Sequence, residues 1–307
     1  MQKKILVIKL SALGDFIIAL APMAAIRRHH PDAHITLMTT KLFKDMAGRS
    51  GYFDCIKIVA KPRWYQLGAW ADLARWLNRE KFSRVYDLQM NDRTAILFRL
   101  FLKKPEWSGV VLGASHVYAN RDWRNMHALE RHRAVLEVAG IENVPLPDIT
   151  WMETDISLFS LKKPYVLLVP GSAPQHPQKR WPALRYGALA RKLQQEGFEV
   201  AVLGTDAERE VVQRIVTACP GVRDLSGKTS LYDIATLGRG AAACVGNDTG
   251  PTHLIALSGC PVVVLFSGAS NPEHSAPVGD VTVIQSDDLA DVNVEVVFKN
   301  LRPRQAA

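Results

Sequence analysis

Cysteine is scarce in this chain, which has four among 307 residues. They form no C-x-x-C pair and have no histidine at ligand spacing: Cys55, Cys219, Cys244 and Cys260. This spacing argues against a disulfide framework and against a structural zinc site. It favours a reducing, cytoplasmic compartment.

Long apolar runs are also missing. The longest, residues 16–26, is interrupted by Pro22 and is shorter than the roughly 20 residues that span a bilayer. The N-terminus leads directly into a strand pattern rather than a signal peptide. We therefore expect no integral membrane segment, but residues 61–81 mix aromatic and basic side chains in a way that suits a membrane surface. A core-facing helix with solvated charges is the alternative for that stretch.

Acidic side chains are outnumbered, 30 against 38 basic ones, which gives a net charge of +8. This balance favours phosphates, anionic lipid or nucleic acid as partners, although no nucleic-acid-binding motif accompanies it. The chain has no G-x-x-x-x-G-K-[ST] loop and no D-x-D carboxylate pair. Its one G-x-G-x-x-[GA] match, residues 238–243, precedes a strand instead of following one, so neither P-loop chemistry nor a nicotinamide site is supported.

The chain does contain strands and helices in alternation, twice over. The first half predicts strands at 4–10, 34–39 and 84–89 and helices at 16–28, 92–102 and 122–139. The second predicts strands at 164–170, 198–204, 243–248, 261–266 and 281–286 and helices at 182–195 and 249–259. Residues 141–164 have prolines, acids and no sustained period, which indicates a joint. We predict an α/β protein of two doubly wound parallel sheets, with domains at 1–150 and 151–307 and ligands beyond the carboxyl ends of the strands.

The sequence "VGNDTGPTHLIAL" places Asp248, Thr249 and Gly250 at the start of a helix. Free N–H groups and the helix dipole attract an anion there, and glycine allows a close approach. His253 lies four residues after Thr249, on the same helical face, and is positioned to add a hydrogen-bond donor. The alternative is that Thr249 caps the helix and His253 is a packing residue.

Two further loops follow predicted strands in the second half. "PGSAPQHPQKRWP" contains Gly171, Ser172, Lys179 and Arg180, and its two cations could clamp a diphosphate or simply be solvated at a helix start. "VLGTDAERE" contains Asp206 and Glu208, either of which could accept hydrogen bonds from ribose hydroxyls. Acids that complement a helix dipole are the alternative for this second loop.

Near the N-terminus, "KLSALGD" places Asp15 at a turn from strand to helix. Asp is a preferred residue for capping a first helical turn. A carboxylate held at a strand end is also suited to take a proton from a substrate hydroxyl. The residues alone leave both roles open.

Taken in order, "ILVIKLSALGD", "HHPDAHITLMTT", "YDLQ" and the three loops above resemble glycosyltransferase family 9, the ADP-heptose:lipopolysaccharide heptosyltransferases. The resemblance implies a GT-B fold, with two Rossmann-like domains facing a central cleft and the final helix able to pack back on the N-terminal one. It implies inverting transfer of heptose from ADP-heptose to an inner-core lipopolysaccharide acceptor of Kdo or heptose type. No metal, no cofactor and no nucleic acid are expected, and contact with the inner membrane surface would be peripheral.

The same resemblance assigns roles to individual residues. Asp15 would be the general base, with Ser11 and Gly14 shaping the acceptor side. On the donor, Lys179 would bind the phosphates and Glu208 the ribose, beside the turn of Asp248, Thr249, Gly250 and His253. Four cations are candidates for an anionic acceptor: Lys61, Arg63, Arg121 and Arg124. A nucleotide-sugar epimerase of similar build and a non-catalytic nucleotide-binding protein remain as alternatives.

Overall fold

The structure is a computed structural model that describes residues 2–304, and it divides into two compact units, Met1–Asp148 and Ile149–Ala307. The chain changes from one unit to the other inside the irregular segment in which the sequence indicates a joint. No helix within residues 2–304 is long and apolar enough to cross a bilayer.

The first unit contains six strands and five α-helices within its described residues. The strands are β1 (Lys4–Ile8), β2 (His34–Thr39), β3 (Cys55–Ile58), β4 (Arg84–Asp87), β5 (Glu106–Gly109) and β6 (His116–Val117). The helices are α1 (Leu13–His29), α2 (Lys44–Arg49), α3 (Leu67–Glu80), α4 (Asp92–Leu100) and α5 (Ala128–Glu137).

The second unit repeats this pattern with six strands and six helices among its described residues. The strands are β7 (Tyr165–Val169), β8 (Glu199–Val202), β9 (Arg223–Asp224), β10 (Ala243–Asn247), β11 (Val262–Ser267) and β12 (Val281–Ser286). The helices are α6 (Ala183–Gln195), α7 (Arg209–Ala218), α8 (Leu231–Gly240), α9 (Gly250–Leu257), α10 (Pro272–Ser275) and α11 (Val294–Asn300).

Both sheets have the same topology. The first has the order β3-β2-β1-β4-β5-β6 and the second β12-β11-β10-β7-β8-β9, with parallel pairing between every pair of neighbours. Counted within its own unit, each sheet therefore reads 3-2-1-4-5-6, the dinucleotide-binding Rossmann order. The direction of winding reverses between the first and fourth strands, and ligands of such sheets bind at the carboxyl ends of these two strands.

The apolar composition of the central strands explains their burial. β1 and β7 are apolar and almost completely buried, as expected for parallel strands covered by helices on both faces. The apolar run 16–26 lies inside α1, where all but one of its residues are buried, and it includes Pro22. Residues 67–80 form α3 with Leu73 and Leu77 buried, so the core-facing helix predicted as the alternative is confirmed for this part of residues 61–81, whereas Trp64 and Tyr65 precede the helix and are exposed.

The predicted helix at 122–139 is wrong at its N-terminal end. The chain forms a 3-10 turn at Arg121–Asn125 and begins a new helix, α5, at Ala128. The break occurs because Met126 is extended and the His127 side chain accepts a hydrogen bond from Leu129 N, which caps the new helix. At the end of the chain, α11 packs on α6 with Val297 in the core of the second unit, and its packing on the first unit stays a prediction.

Asn247 fixes the arrangement of the second unit at the switch between β7 and β10. Its side chain is completely buried, and its amide nitrogen donates to Pro170 O at 2.7 Å and Gly171 O at 3.1 Å. Its Oδ1 accepts from Trp181 N at 3.2 Å and lies 3.0 Å from the Tyr186 hydroxyl. One amide thus ties the end of β10 to the loop after β7 and to the start of α6.

Replacement of this amide should be costly. We expect Asn247→Ala to lower the free energy of unfolding by about 3 kcal/mol or more, because each buried group left without a hydrogen bond costs about 1–3 kcal/mol. Urea denaturation measures the change. Asn300→Ala is the matched control, since it removes one hydrogen bond at the surface and should change stability by about 0.5 kcal/mol or less. Equal effects of the two substitutions would contradict the role assigned to Asn247.

Candidate functional site

The second unit brings three of the predicted residues together at its switch point. Lys179 Nζ donates to Asp248 Oδ2 at 2.7 Å, although the two residues are 69 positions apart. His253 Nε2 lies 3.7 Å from Asp248 Oδ1. Burial alone would raise the pKa of the Asp248 carboxyl, but the side chains of His253 and Lys179 outweigh burial and hold that pKa below its usual value. Asp248 is thus a buried carboxylate facing two potential cations.

Polar atoms without a partner mark the same place. Thr249 Oγ1 and His253 Nδ1 are buried and form no hydrogen bond within residues 2–304. Thr249 occupies the N-cap of α9, but its side chain does not cap the helix, so the structural alternative predicted for it is wrong. Because buried polar groups normally have a hydrogen-bond partner, these two atoms are candidates for contact with a ligand at this site.

Glu208 lies beside the loop that follows β7. A methyl group on Gly171 would be 1.8 Å from Glu208 Oε1, so only glycine allows this approach. The other carboxylate oxygen, Oε2, accepts from Thr205 N at 2.7 Å and Thr205 Oγ1 at 2.9 Å. Glu208 therefore caps the turn that begins at Thr205, a role that was not predicted, and it also presents an oxygen at the switch point. Its place in the first turn agrees with the helix-dipole alternative. Asp206 instead pairs with Arg209 at the surface.

Arg180 is turned into its own loop. Its Nε donates to Ser172 Oγ at 2.9 Å and its Nη2 to Ser172 O at 3.1 Å. The Ser172 hydroxyl in turn lies 2.8 Å from His176 O. Arg180 and Ser172 thus shape the loop that presents Lys179, while direct contacts of either residue with a diphosphate stay a prediction.

In the first unit, Asp15 lies in the first turn of α1. Its Oδ2 accepts from Ala12 N at 3.2 Å. Ala12, not Asp15, is the N-cap of α1, so the N-cap role predicted as one alternative is wrong, although Asp15 stabilises the start of the helix from its third position. Gln89, just beyond β4, holds the preceding loop because its Oε1 accepts from Leu10 N at 2.7 Å and from Ser11 N at 3.0 Å. Gly14 precedes Asp15 in the same turn. The loop is thus fixed across the switch point while the Asp15 side chain stays partly accessible.

Buried charge surrounds this loop. Lys9 donates to Leu88 O at 3.1 Å, and burial lowers the pKa of its ammonium to about 8 against the attraction of Asp15 and Asp87. Burial raises the pKa of Asp87 to about 6, opposed by hydrogen bonds from the turn that follows it. For Arg131, burial lowers the guanidinium pKa and the nearby Asp15 opposes that change. These three residues were not identified from the sequence, although Lys9 and Asp87 both stand at ends of recognisable strands.

The buried Nε of Arg131 has no hydrogen-bond partner among the described residues. The guanidinium carbon lies 5.6 Å from the centre of the Trp123 ring, and that of Arg124 lies 4.5 Å from the same ring. Trp123 therefore brings the predicted residue Arg124 to a second arginine that interacts with Asp15. Arg121 is exposed at the start of the same turn.

The other two predicted acceptor cations lie at a different place. Lys61 and Arg63 follow β3, the edge strand that is two positions from β1 in the sheet. Burial lowers the pKa of Lys61, and the nearby Arg93 lowers it further. Arg63 Nη1 donates to the Tyr65 hydroxyl at 2.9 Å. The four cations thus form two separate groups at the carboxyl edge of the first sheet.

The chain is similar to known proteins over most of its length. Lipopolysaccharide heptosyltransferase 2 of Escherichia coli K12 is 26% identical over 302 residues, which cover 90% of this chain and 85% of the relative. The family 9 glycosyl transferase from Veillonella parvula DSM 2008 has a TM-score of 0.82 at 23% identity, covering 97% of this chain and 95% of that chain. The E. coli heptosyltransferase WaaC with ADP-2-deoxy-2-fluoro heptose has a TM-score of 0.74 at 19% identity, covering 96% and 98%.

These likenesses confirm the predicted GT-B fold of two Rossmann-like domains. The sequence model of glycosyltransferase family 9 (heptosyltransferase) matches residues 70–293, a range that contains every predicted donor residue but not Asp15. The match therefore favours a transferase over the epimerase and the non-catalytic protein that the sequence left open. The chain belongs to glycosyltransferase family 9, the heptosyltransferases, and is a glycosyltransferase.

Proposed function

We propose that this protein transfers heptose from ADP-heptose to an inner-core lipopolysaccharide acceptor of Kdo or heptose type. The transfer inverts the anomeric carbon and uses no metal and no cofactor. The observation that carries the proposal is the group formed by Lys179, Asp248, Thr249 and His253 at the start of α9, in which Thr249 Oγ1 and His253 Nδ1 have no hydrogen-bond partner among residues 2–304.

The donor diphosphate is proposed to bind at the start of α9. Lys179 supplies a cation, the Gly250 end of the helix supplies the positive end of its dipole, and Thr249 supplies a hydroxyl. Because His253 Nε2 faces the Asp248 carboxylate, Nδ1 is the nitrogen left for the donor. These groups stabilise the negative charge that grows on ADP as it leaves, which is the task a metal performs in other transferases.

The nucleoside end of the donor is proposed to lie along the loop after β7. Glu208 Oε1 lies against Gly171 and is the oxygen not used by Thr205. A carboxylate oxygen in this position accepts hydrogen bonds from ribose hydroxyls. Ser172 and Arg180 keep the loop in shape beside it.

On the acceptor side, Asp15 is the proposed general base. Its carboxylate takes the proton of the acceptor hydroxyl while that oxygen forms a bond to the anomeric carbon, and the bond from this carbon to the ADP phosphate oxygen breaks. Ser11 and Gly14 shape the loop around the reacting hydroxyl. Arg131, with an unused buried nitrogen, extends the predicted set of Lys61, Arg63, Arg121 and Arg124 for carboxylates and phosphates of the acceptor.

Such an acceptor also sets the place of the reaction. We propose that the protein works in the cytoplasm and meets its acceptor at the cytoplasmic face of the inner membrane, by peripheral contact. The net charge of +8 suits an anionic surface.

Donor binding can be tested on two residues of the second unit. Lys179→Ala should weaken ADP binding by roughly 10-fold or more, since a hydrogen bond to a charged group contributes about 1.5–3 kcal/mol. Gly171→Ala should also weaken binding, because its methyl group displaces the Glu208 carboxylate. Isothermal titration calorimetry measures both dissociation constants.

Matched controls exist for both substitutions. The Lys192 ammonium lies 2.6 Å from the Glu295 carboxylate, and both residues lie outside the proposed site. Lys192→Ala therefore removes a paired lysine without changing that site. Gly68 has no atom within 4 Å of an added methyl group, so Gly68→Ala should be neutral. An unchanged affinity of Lys179→Ala for ADP would remove Lys179 from the donor site.

A substitution at Asp15 distinguishes a capping role of this residue from a catalytic one. Asn retains an oxygen that can accept from Ala12 N, so Asp15→Asn should fold normally and bind ADP normally. It cannot take the acceptor proton, and turnover should fall at least roughly 100-fold, the lower end of general-base effects. Steady-state kinetics with both substrates saturating measures this change.

Asp45 provides the control for this experiment because it is an exposed acid in the first turn of α2. Asp45→Asn should leave turnover near the wild-type value. Near-normal turnover in well-folded Asp15→Asn would leave Asp15 as a capping residue and the proposed mechanism without its base.

A further inference from the structure

Large apolar side chains stand out of the first unit where the chain leaves β3. Trp64 is 84% exposed, Leu67 75% and Tyr65 53%. Trp64 and Tyr65, together with residues of α3 and α4, line an open groove of about 720 Å³, whose other walls include Trp70, Arg93 and Ile96. We call the group Arg63, Trp64, Tyr65 and Leu67 the β3–α3 surface.

Hydrogen bonds hold this surface in one shape. Trp70 Nε1 donates to Arg63 O at 3.0 Å, and Arg93 Nη1 donates to Pro62 O at 2.8 Å. The Trp64 and Tyr65 rings pack edge to face with centroids 5.6 Å apart. The exposed aromatic rings are therefore presented by bonded backbone rather than by an unsupported loop.

The charged side chains of the segment that carries the surface all have the same sign. Residues 55–71 contain Lys57, Lys61 and Arg63 and no Asp or Glu. The next acid along the chain, Asp72, is paired with Arg75. A second copy of the chain would place like charges against each other here, whereas an anionic surface complements them.

The position of the surface matters for the reaction. The loop follows β3, so it lies at the carboxyl edge of the sheet, which is the edge that also carries the Asp15 loop after β1. Aromatic and basic side chains in combination match the headgroup region of a bilayer, where indole and phenol rings settle and cations meet phosphates.

We propose that the β3–α3 surface docks on an anionic phospholipid bilayer, with Trp64 and Leu67 entering the headgroup region and Lys61 and Arg63 meeting lipid phosphates. This deepens the proposed function, on which it rests for its purpose, because an acceptor carried in a membrane must be met at the membrane surface. The contact is reversible and falls with salt, since its electrostatic part is screened.

The test uses the full chain with vesicles and neither donor nor acceptor. Co-sedimentation with vesicles of phosphatidylcholine and phosphatidylglycerol in a ratio of about 3:1 should give clear binding, and pure phosphatidylcholine vesicles much less, because the cations are attracted to an anionic lipid surface. The Trp64→Ser/Leu67→Ser double variant should lose at least about tenfold in partition coefficient, as two interfacial side chains are removed. Its circular dichroism and thermal unfolding should match the wild type.

Leu102→Ser is the matched control. Leu102 is 91% exposed, but it lies between α4 and β5, at the opposite edge of the same sheet. Its substitution removes as much exposed apolar side chain as Leu67→Ser and should leave vesicle binding unchanged.

Three results would overturn the proposal: no binding of the wild type to anionic vesicles, equal binding of the double variant, or equal loss in Leu102→Ser. Self-association that disappears in the double variant, without vesicle binding, would assign the surface to a second copy. Vesicle binding without heptose transfer contradicts only the proposed function. Transfer to a water-soluble acceptor without vesicle binding contradicts only this inference.

Discussion

The buried amide of Asn247 is the constraint on which the proposed donor site depends. Four groups from the loop after β7 and the start of α6 lie within hydrogen-bonding distance of it. The next residue is Asp248, so the amide also fixes where that carboxylate stands and hence where Lys179 is drawn. Because the amide is completely buried, these bonds do not compete with water, and the loop geometry is set before any ligand arrives.

In the first unit a side-chain amide also holds the loop after the first strand, but it accepts hydrogen bonds from that loop, whereas Asn247 donates them to the corresponding loop. There the amide of Gln89, beyond the fourth strand, accepts from Leu10 N and Ser11 N in the loop after the first strand. In the second unit the amide of Asn247 donates to two carbonyls of the corresponding loop. The side-chain amide thus binds backbone N–H groups of the loop in the first unit and backbone carbonyls of the loop in the second.

The sequence predicted the fold well where patterns are local and strongly apolar. The strands 34–39, 261–266 and 281–286 agree with β2, β11 and β12 to within a residue at each end. Short edge strands such as β6 and β9 have two residues each, too few for any periodicity to register. The helix predicted at 122–139 failed because a local cap at His127 overrides an otherwise helical composition.

Some of the site residues could likewise be predicted from the sequence, and others could not. Lys179, Asp248 and His253 could be found because each stands at the end of a strand or start of a helix, and topology brings such ends together. Arg131 could not be identified as a site residue from the sequence, because it lies inside a helix and interacts with Asp15 only through the packing of α5 on α1. Arg180 was identified as a candidate from its place in the sequence, but its side chain is turned toward Ser172. This contact depends on the loop conformation rather than on the spacing of the residues.

In the proposed reaction this chain moves a sugar from ADP-heptose to an acceptor using only its own cations and one carboxylate. The most direct measurement is the release of ADP from ADP-heptose in the presence of EDTA, with and without a lipid A–Kdo acceptor. The account predicts ADP release that requires the acceptor, persists with the chelator and yields a heptosylated product of inverted anomeric configuration. Release without acceptor, a free sugar product, or activity that returns only on addition of magnesium or manganese would contradict it.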